Sequence, residues 1–367
     1  MATTNGLSST LVADLTSAVA DVMAVDDVTE GVPPGNSVRI RGRLLAPAQE
    51  AWEKMAERMR PLGRTPLLRR DRSGHGEEVL AVSVTLARPK QRVAIASLLF
   101  SLTVVSCLFV GAQMVEGLSA VNWNLLDGVP FAAALLTILA AHEFGHYLTA
   151  RRLGSPTSLP YFIPLPFGPF GTLGAFITMA SPPRNRQHLL KIGAAGPLAG
   201  LVLAVPILWL GLTLSHVQPL PLHGYQVEGN SLLYAALKLL RFGRLLPSAG
   251  EDVFIHPIAF AGWAGLLVTG LNLFPAGQLD GGHIVFALLG RKGAGIVTWI
   301  VLATMLALTF FWNGWALWLA LVFVFSRVRD MPLDDITDLT GPQRLLAVAM
   351  LGIFLLVFTP IPMTVVP

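Results

Sequence analysis

Two histidines four residues apart, His142 and His146, stand with Glu143 inside an apolar stretch, Leu139-Ala-Ala-His142-Glu143-Phe-Gly-His146-Tyr-Leu. On a helix that spacing puts both imidazoles on one face, one turn apart. Both rings can then reach a single metal ion with the carboxylate beside it. His-Glu-x-x-His is the spacing associated with zinc-dependent peptide hydrolysis. The chain holds eight histidines in 367 residues, so the combination seldom arises by chance. The plain alternative is an incidental polar cluster or a proton relay. Against it, charged groups deep in an apolar span are costly and are kept there for function.

A catalytic zinc takes three protein ligands and leaves a fourth position for water. The best third candidate is Asp280, one of few carboxylates set in apolar sequence, within Asn272-Leu-Phe-Pro275-Ala-Gly277-Gln-Leu279-Asp280-Gly281-Gly282-His283. Pro275 and Gly277 interrupt the apolar helix before it, which exposes backbone and suits a site more than lipid contact. The alternative for Asp280 is a carboxylate at a span end, facing water. His283, one turn further on, is either a ligand or a supporting group.

The elements that must position these residues follow from composition. Hydrophobic residues make up 53% and charged residues 13%, and mean hydropathy is +0.62. This lies outside the range of soluble globular domains. The charge is concentrated in residues 1–91, so a soluble head followed by a polytopic membrane domain is expected. Apolar runs at 93–115, 129–150, 189–214, 257–274, 294–326 and 344–359 predict about six to seven spans. The run 294–326 is too long for one span and is broken at Asn313-Gly314, which predicts a hairpin of two. The net charge of +4 gives no indication of nucleic acid. The single cysteine, Cys107, excludes an intramolecular disulfide.

Residues 1–35 are rich in Ser, Thr and Ala and lack a basic region followed by an apolar core. A disordered N-terminal segment without a cleaved signal peptide is expected. Residues 36–88 predict a small α/β domain. Alternation marks a strand over 37–45. Ala48, Trp52, Met55 and Met59 fall at helical spacing behind Pro47. Further strands are predicted over 65–68 and 79–86, joined by a turn at 73–76. This head is either a docking module or a stabilising appendage. Residues 89–367 form the transmembrane domain, with a core over about 128–290.

The basic residues Arg88, Lys90, Arg92, Arg151, Arg152, Arg184, Arg186, Lys191, Arg291, Lys292, Arg327 and Arg329 fall on one side of this topology, assigned to the cytoplasm together with the head. Lys238, Arg241 and Arg244 dissent. An amphipathic helix lying on the membrane surface would account for them, and an error in the assigned topology is the competing account.

Residues 155–181 carry five prolines and then Gly171, Thr172 and Gly174, too broken for a spanning helix. They predict a re-entrant loop with a β-like edge over 172–179, to which an extended substrate could pair; the alternative is a surface connector among the headgroups. Gly171, Thr172, Gly174 and Asn272 are the candidate substrate contacts. Gly196-x-x-x-Gly200 predicts close helix packing.

The pair His142-Glu143-x-x-His146 and Asn272-x-x-Pro275-x-x-x-Leu279-Asp280-Gly281 resembles the signature of the site-2 protease family of intramembrane zinc proteases. The stretches 167–177 and 196–200 are similar as well. The resemblance is to a branch with a cytoplasmic N-terminal domain, found in bacteria, cyanobacteria and chloroplasts. It implies that His142, His146 and Asp280 hold Zn2+ and that Glu143 is the general base. It implies further a multi-pass protein of a bacterial cell membrane, cleaving single-span, membrane-anchored regulators such as anti-sigma factors within the bilayer. Oligomeric state is left open. An ion-coupled transporter is the competing class, but no internal repeat supports it. A non-catalytic metal-binding membrane protein would not require Glu143.

Overall fold

The computed structural model describes residues 9–32, 37–71, 76–82, 91–116, 124–179, 181–221, 223–326 and 331–366. They divide into two compact units. The chain is mostly helical with some sheet.

The first unit draws on residues 1–88, 180–189 and 330–340. It begins with α1 (Ser9–Val19) and β1 (Met23–Val32). Both lie where the sequence predicts disorder, and that expectation is corrected for 9–32. Leu11, Leu15 and Val19 recur every fourth residue, an apolar stripe diluted by Ser, Thr and Ala. Leu15 and Val19 are fully buried, and Met23 is 1% exposed. The unit continues with β2 (Ser37–Leu44), α2 (Ala48–Met59), β3 (Thr65–Arg70) and β4 (Glu77–Val82). Residues 73–75 of the expected turn and 83–86 of the expected strand lie outside the described residues. The strands form one antiparallel sheet in the order β1-β2-β4-β3. Val38, Ile40, Leu68, Val79 and Ala81 of the sheet share a core with Ala51, Met55 and Met59 of α2.

The edge strand β3 does not face solvent alone. The Leu68 amide donates to the Leu333 carbonyl (2.9 Å), and the Asp335 amide donates to the Leu68 carbonyl (3.1 Å). This bond pattern continues the sheet with a strand-like stretch from a distant part of the chain. Asp334 anchors it. Its fully buried carboxylate accepts from the amides of Ile336 (2.9 Å) and Thr337 (3.1 Å) and from the Thr337 hydroxyl. Its own amide donates to the Arg184 carbonyl at 2.7 Å. Arg184 in turn pairs with Glu53 and stacks over the Trp52 ring at 5.0 Å. Asp334→Ala strands two buried donors on Thr337 and the half-buried Ile336 amide, at about 1–3 kcal/mol for each buried group. It is expected to lower the stability of this unit by about 3 kcal/mol in total. Hydrogen exchange of the β3 amides in the full chain checks this: faster exchange supports it, and wild-type protection would contradict it.

The second unit runs in chain order through α3 (Val93–Glu116), a 3-10 turn (Leu125–Gly128), α4 (Val129–Arg152), β5 (Tyr161–Pro164), β6 (Thr172–Phe176), α5 (Arg186–Leu214, from Leu190 in this unit), β7 (His216–Pro219), β8 (Tyr225–Glu228), α6 (Leu232–Phe242), β9 (Glu251–Phe254), α7 (Pro257–Asn272), α8 (Asp280–Leu308), α9 (Gly314–Phe325), α10 (Gly341–Val357) and β10 (Met363–Val366). Among the described residues, α3, α4, α5 and α8 are long and apolar enough to cross a membrane; α7, α9 and α10 are shorter apolar helices. The break between α8 and α9 falls at 309–313, beside the expected Asn313-Gly314. However, α8 starts at Asp280, well before the apolar run at 294. Gly290 (φ 68°, ψ −174°) leaves the helical region and divides this stretch into two helical segments, just before Arg291 and Lys292.

α4 starts with a proline in its first turn and ends on Arg151 and Arg152, which suit the negative end of the helix dipole. It packs against α3 and α7. The broken segment after it forms a β5–β6 antiparallel hairpin, extended by a bridge between Thr157 and Met179.

The expected helix forms at 232–242, but Lys238 does not lie on an exposed face of it. Lys238 is fully buried, 3.9 Å from Glu228 and 3.7 Å from Asp252, with its Nζ 4.7 Å above the Tyr234 ring. Burial pushes the Glu228 carboxyl above its usual range, although Lys238 pulls it the other way. Arg244 lies beyond the left-handed Gly243 cap and pairs with Glu251 at 2.6 Å. Lys238 and Arg244 therefore serve separate ion pairs, whereas Arg241 stays exposed.

Candidate metal centre

His142 and His146 project from the buried face of α4, as their spacing requires. Asp280 is the first residue of α8, placed there by the bend at 273–279, where Gly277 adopts φ 62°. The helices come from distant parts of the sequence, yet three ligand atoms converge. Asp280 Oδ2 lies 3.3 Å from His142 Nε2 and 3.2 Å from His146 Nε2. The two Nε2 atoms are 3.2 Å apart. Ligand atoms sharing a tetrahedral zinc at bond lengths of about 2.0–2.1 Å stand about 3.3 Å from one another. The donor set is therefore both chemically and metrically suited to zinc. Among the described residues it is the one group of three or more His, Cys, Asp or Glu side chains with this convergence.

α5 completes the arrangement, with little local signal of it in the residues themselves. The Ile192 carbonyl lies 2.7 Å from His146 Nδ1. A proton on Nδ1 donates to it and leaves Nε2 with its lone pair toward the cluster, the usual support of a metal-binding imidazole. One turn on, a β-carbon on Gly196 would stand 2.0 Å from His146 Nε2, and one on Gly200 would stand 3.3 Å from His142 Nδ1. The small residues expected to serve helix packing thus pack on the two imidazoles. Gly196→Ala must displace His146. Support residues of this kind cost about 10- to 100-fold in metal affinity when changed, and that loss is expected here. Zinc titration against a competing chelator measures it; wild-type affinity would contradict the role.

His142, Glu143 and His146 are 3%, 6% and 6% exposed. They line a cavity of about 180 Å³ together with Asp280, Asn272, Gln278, His283 and an apolar wall. Asn272 lies at the end of α7 with Nδ2 3.2 Å from His142 Nε2. His283 borders the cavity but stands outside the converging triad.

The other three candidate substrate contacts are not among the cavity residues. Gly171, at φ 72°, turns the hairpin against α3, where a β-carbon would meet Cys107 Cα at 2.8 Å; its carbonyl accepts from the Ser106 hydroxyl. The Thr172 hydroxyl donates to the Ile163 carbonyl (2.8 Å) and accepts from the Gly174 amide (3.0 Å), both within the hairpin. Gly174 has φ 98°, open to glycine alone without strain. These residues shape β6, whereas Ala175, Phe176, Ile177 and Met179 of the expected edge reach the cavity.

Residues 130–311 match the model of peptidase family M50. The chain carries a peptidase family M50 domain. That domain contains α4, α5, α7 and α8, and so every residue of the triad and Glu143. With four helices long and apolar enough to cross a membrane, the M50 domain is part of a multi-pass membrane protein. Among curated proteins, the probable zinc metalloprotease EGY2, chloroplastic, of Oryza sativa subsp. indica is 37% identical over 245 residues, 66% of this chain and 44% of that protein. Its counterpart of the same name in Arabidopsis thaliana is 34% identical over 247 residues, 66% of this chain and 43% of that protein. The Arabidopsis thaliana protein named EGY1 is 34% identical over 245 residues, 64% and 43% of the respective lengths. The matches thus span less than half the length of these relatives. No solved structure matches the chain.

Proposed function

We propose that the chain is an intramembrane zinc endopeptidase that hydrolyses a peptide bond within or near the transmembrane segment of a single-span, membrane-anchored substrate. The observation that carries this reading is the convergence of His142, His146 and Asp280 in a buried cavity that also holds Glu143. The M50 domain and the relatives named zinc metalloproteases support it.

When bound, zinc supplies the Lewis acid that polarises the scissile carbonyl and acidifies the attacking water. The chain's own groups do the rest. Glu143 takes the proton from that water and delivers it to the leaving amine. The Ile192 carbonyl holds the His146 tautomer, and the Asn272 amide offers a hydrogen bond to the substrate carbonyl. Among the described residues, β6 pairs with β5 on one edge only. Its other edge receives an extended substrate and satisfies the backbone groups freed when a helical segment unwinds. The apolar wall lowers the local polarity beside the reacting bond, which strengthens each of these polar contacts.

The distribution of basic residues favours the first unit on the cytoplasmic side of a bacterial-type membrane, with six to seven apolar helices in the bilayer. Membrane-anchored regulators, already shortened by another protease, are the substrate class in keeping with the resemblance.

The test is cleavage of a single-span substrate co-reconstituted with the full chain. Cleavage is expected to stop on chelation and to return on adding zinc. Cleavage that persists after zinc is removed would overturn the reading.

A further inference from the structure

β6 and the residues that continue it place Ala175, Ile177 and Met179 at every second position, with the exposed Phe176 and Thr178 between them. Alternate side chains of an extended strand share a face. These three all border the cavity of His142, Glu143, His146 and Asp280, and Phe176 reaches it too. Ile192 and Leu279 add the remaining apolar lining. The cavity is therefore two-sided in chemistry: its ionisable groups come from α4 and α8, and the β6 side offers none.

We propose that Ala175, Ile177 and Met179 form a side-chain subsite that selects a medium-sized, uncharged aliphatic residue beside the cleaved bond. The proposal rests on the peptidase reading above. A substrate strand laid along the free edge of β6 directs every second side chain to the same face as these residues. The space is limited, about 180 Å³. An indole, the bulkiest side chain, is the group its walls exclude first, and leucine or methionine fits with the least displacement. A charged side chain would lose its hydration against Ile177 and Met179. An acidic one would also approach Glu143 and Asp280. Ala175 limits the depth by its smallness, so any enlargement narrows the subsite. Met179, unbranched and flexible, is the wall whose removal widens it.

The test uses the full-length, zinc-loaded chain in lipid vesicles and one single-span substrate. The residues flanking the cleaved bond are varied among Ala, Leu, Met, Trp, Asp and Lys, and kcat/KM is compared. At one of those positions the wild type is expected to favour Leu and Met over Trp, Asp and Lys by about 10- to 200-fold, the scale on which a pocket rejects misfit groups. Ala175→Leu is expected to shift the preference toward Ala, and Met179→Ala toward Trp. Opposite shifts in rank are not produced by a general loss of folding. If Ala175→Leu is inactive on every substrate, Met179→Ala alone decides. An active wild type whose ranking is unchanged in Met179→Ala overturns the subsite and leaves the peptidase reading intact. Failure of the zinc-loaded wild type to cleave any member overturns both.

Discussion

Glu143→Gln is expected to keep wild-type zinc content and to lose cleavage by at least the factor of about 10²–10⁴ that a positioned acid–base group supplies. Glutamine preserves the size of the side chain and its place in the cavity, so packing of α4 is unchanged. Glu143 is not one of the three converging ligand residues. The metal centre therefore has no reason to disperse. What is lost is the carboxylate that accepts a proton from water and returns it to the amine. The informative result is the combination of metal retained and turnover lost, measured by metal analysis and substrate cleavage on the same preparation. Equal cleavage by variant and wild type would remove Glu143 from the chemistry.

His146→Ala is expected to lose both. The variant leaves His142 Nε2 and Asp280 Oδ2, 3.3 Å apart, as two ligands where three are needed. Its effect on zinc affinity should exceed the roughly 10- to 100-fold typical of changes in supporting groups, and so exceed that of Gly196→Ala. Helix content should hold, because position 146 lies in the middle of a helix that alanine suits. Competition with a chelator, alongside circular dichroism, reads both quantities. Zinc bound as tightly as in the wild type would show that His146 is not a ligand.

The two halves of the centre were legible in the sequence because each is local. A spacing of four on an apolar helix puts two imidazoles together, and a proline and glycine before a carboxylate mark where a helix restarts. Support from α5 was hidden. Which face of an apolar helix meets the imidazoles is decided by tertiary packing, and Gly196 differs from any small packing residue only through the ring opposite it. A backbone carbonyl such as that of Ile192 carries no sequence signal at all. The edge over 172–179 was anticipated from broken helical pattern, but the cavity contacts fall on its C-terminal half and not on Gly171, Thr172 or Gly174. Here the glycines were the conspicuous residues, and they shape the hairpin. Elsewhere, long-range partners defeated local reading. Residues 331–340 give no strand pattern until they meet β3, and Lys238 looks like a surface residue until Glu228 and Asp252 enclose it.

The most direct measurement is X-ray absorption at the zinc edge on the wild type and on Asp280→Ala. The wild type is predicted to show one zinc per chain bound by two imidazole nitrogens and a carboxylate oxygen, with the oxygen lost and occupancy sharply reduced in the variant. An unchanged zinc content and spectrum in Asp280→Ala would contradict the three-ligand centre.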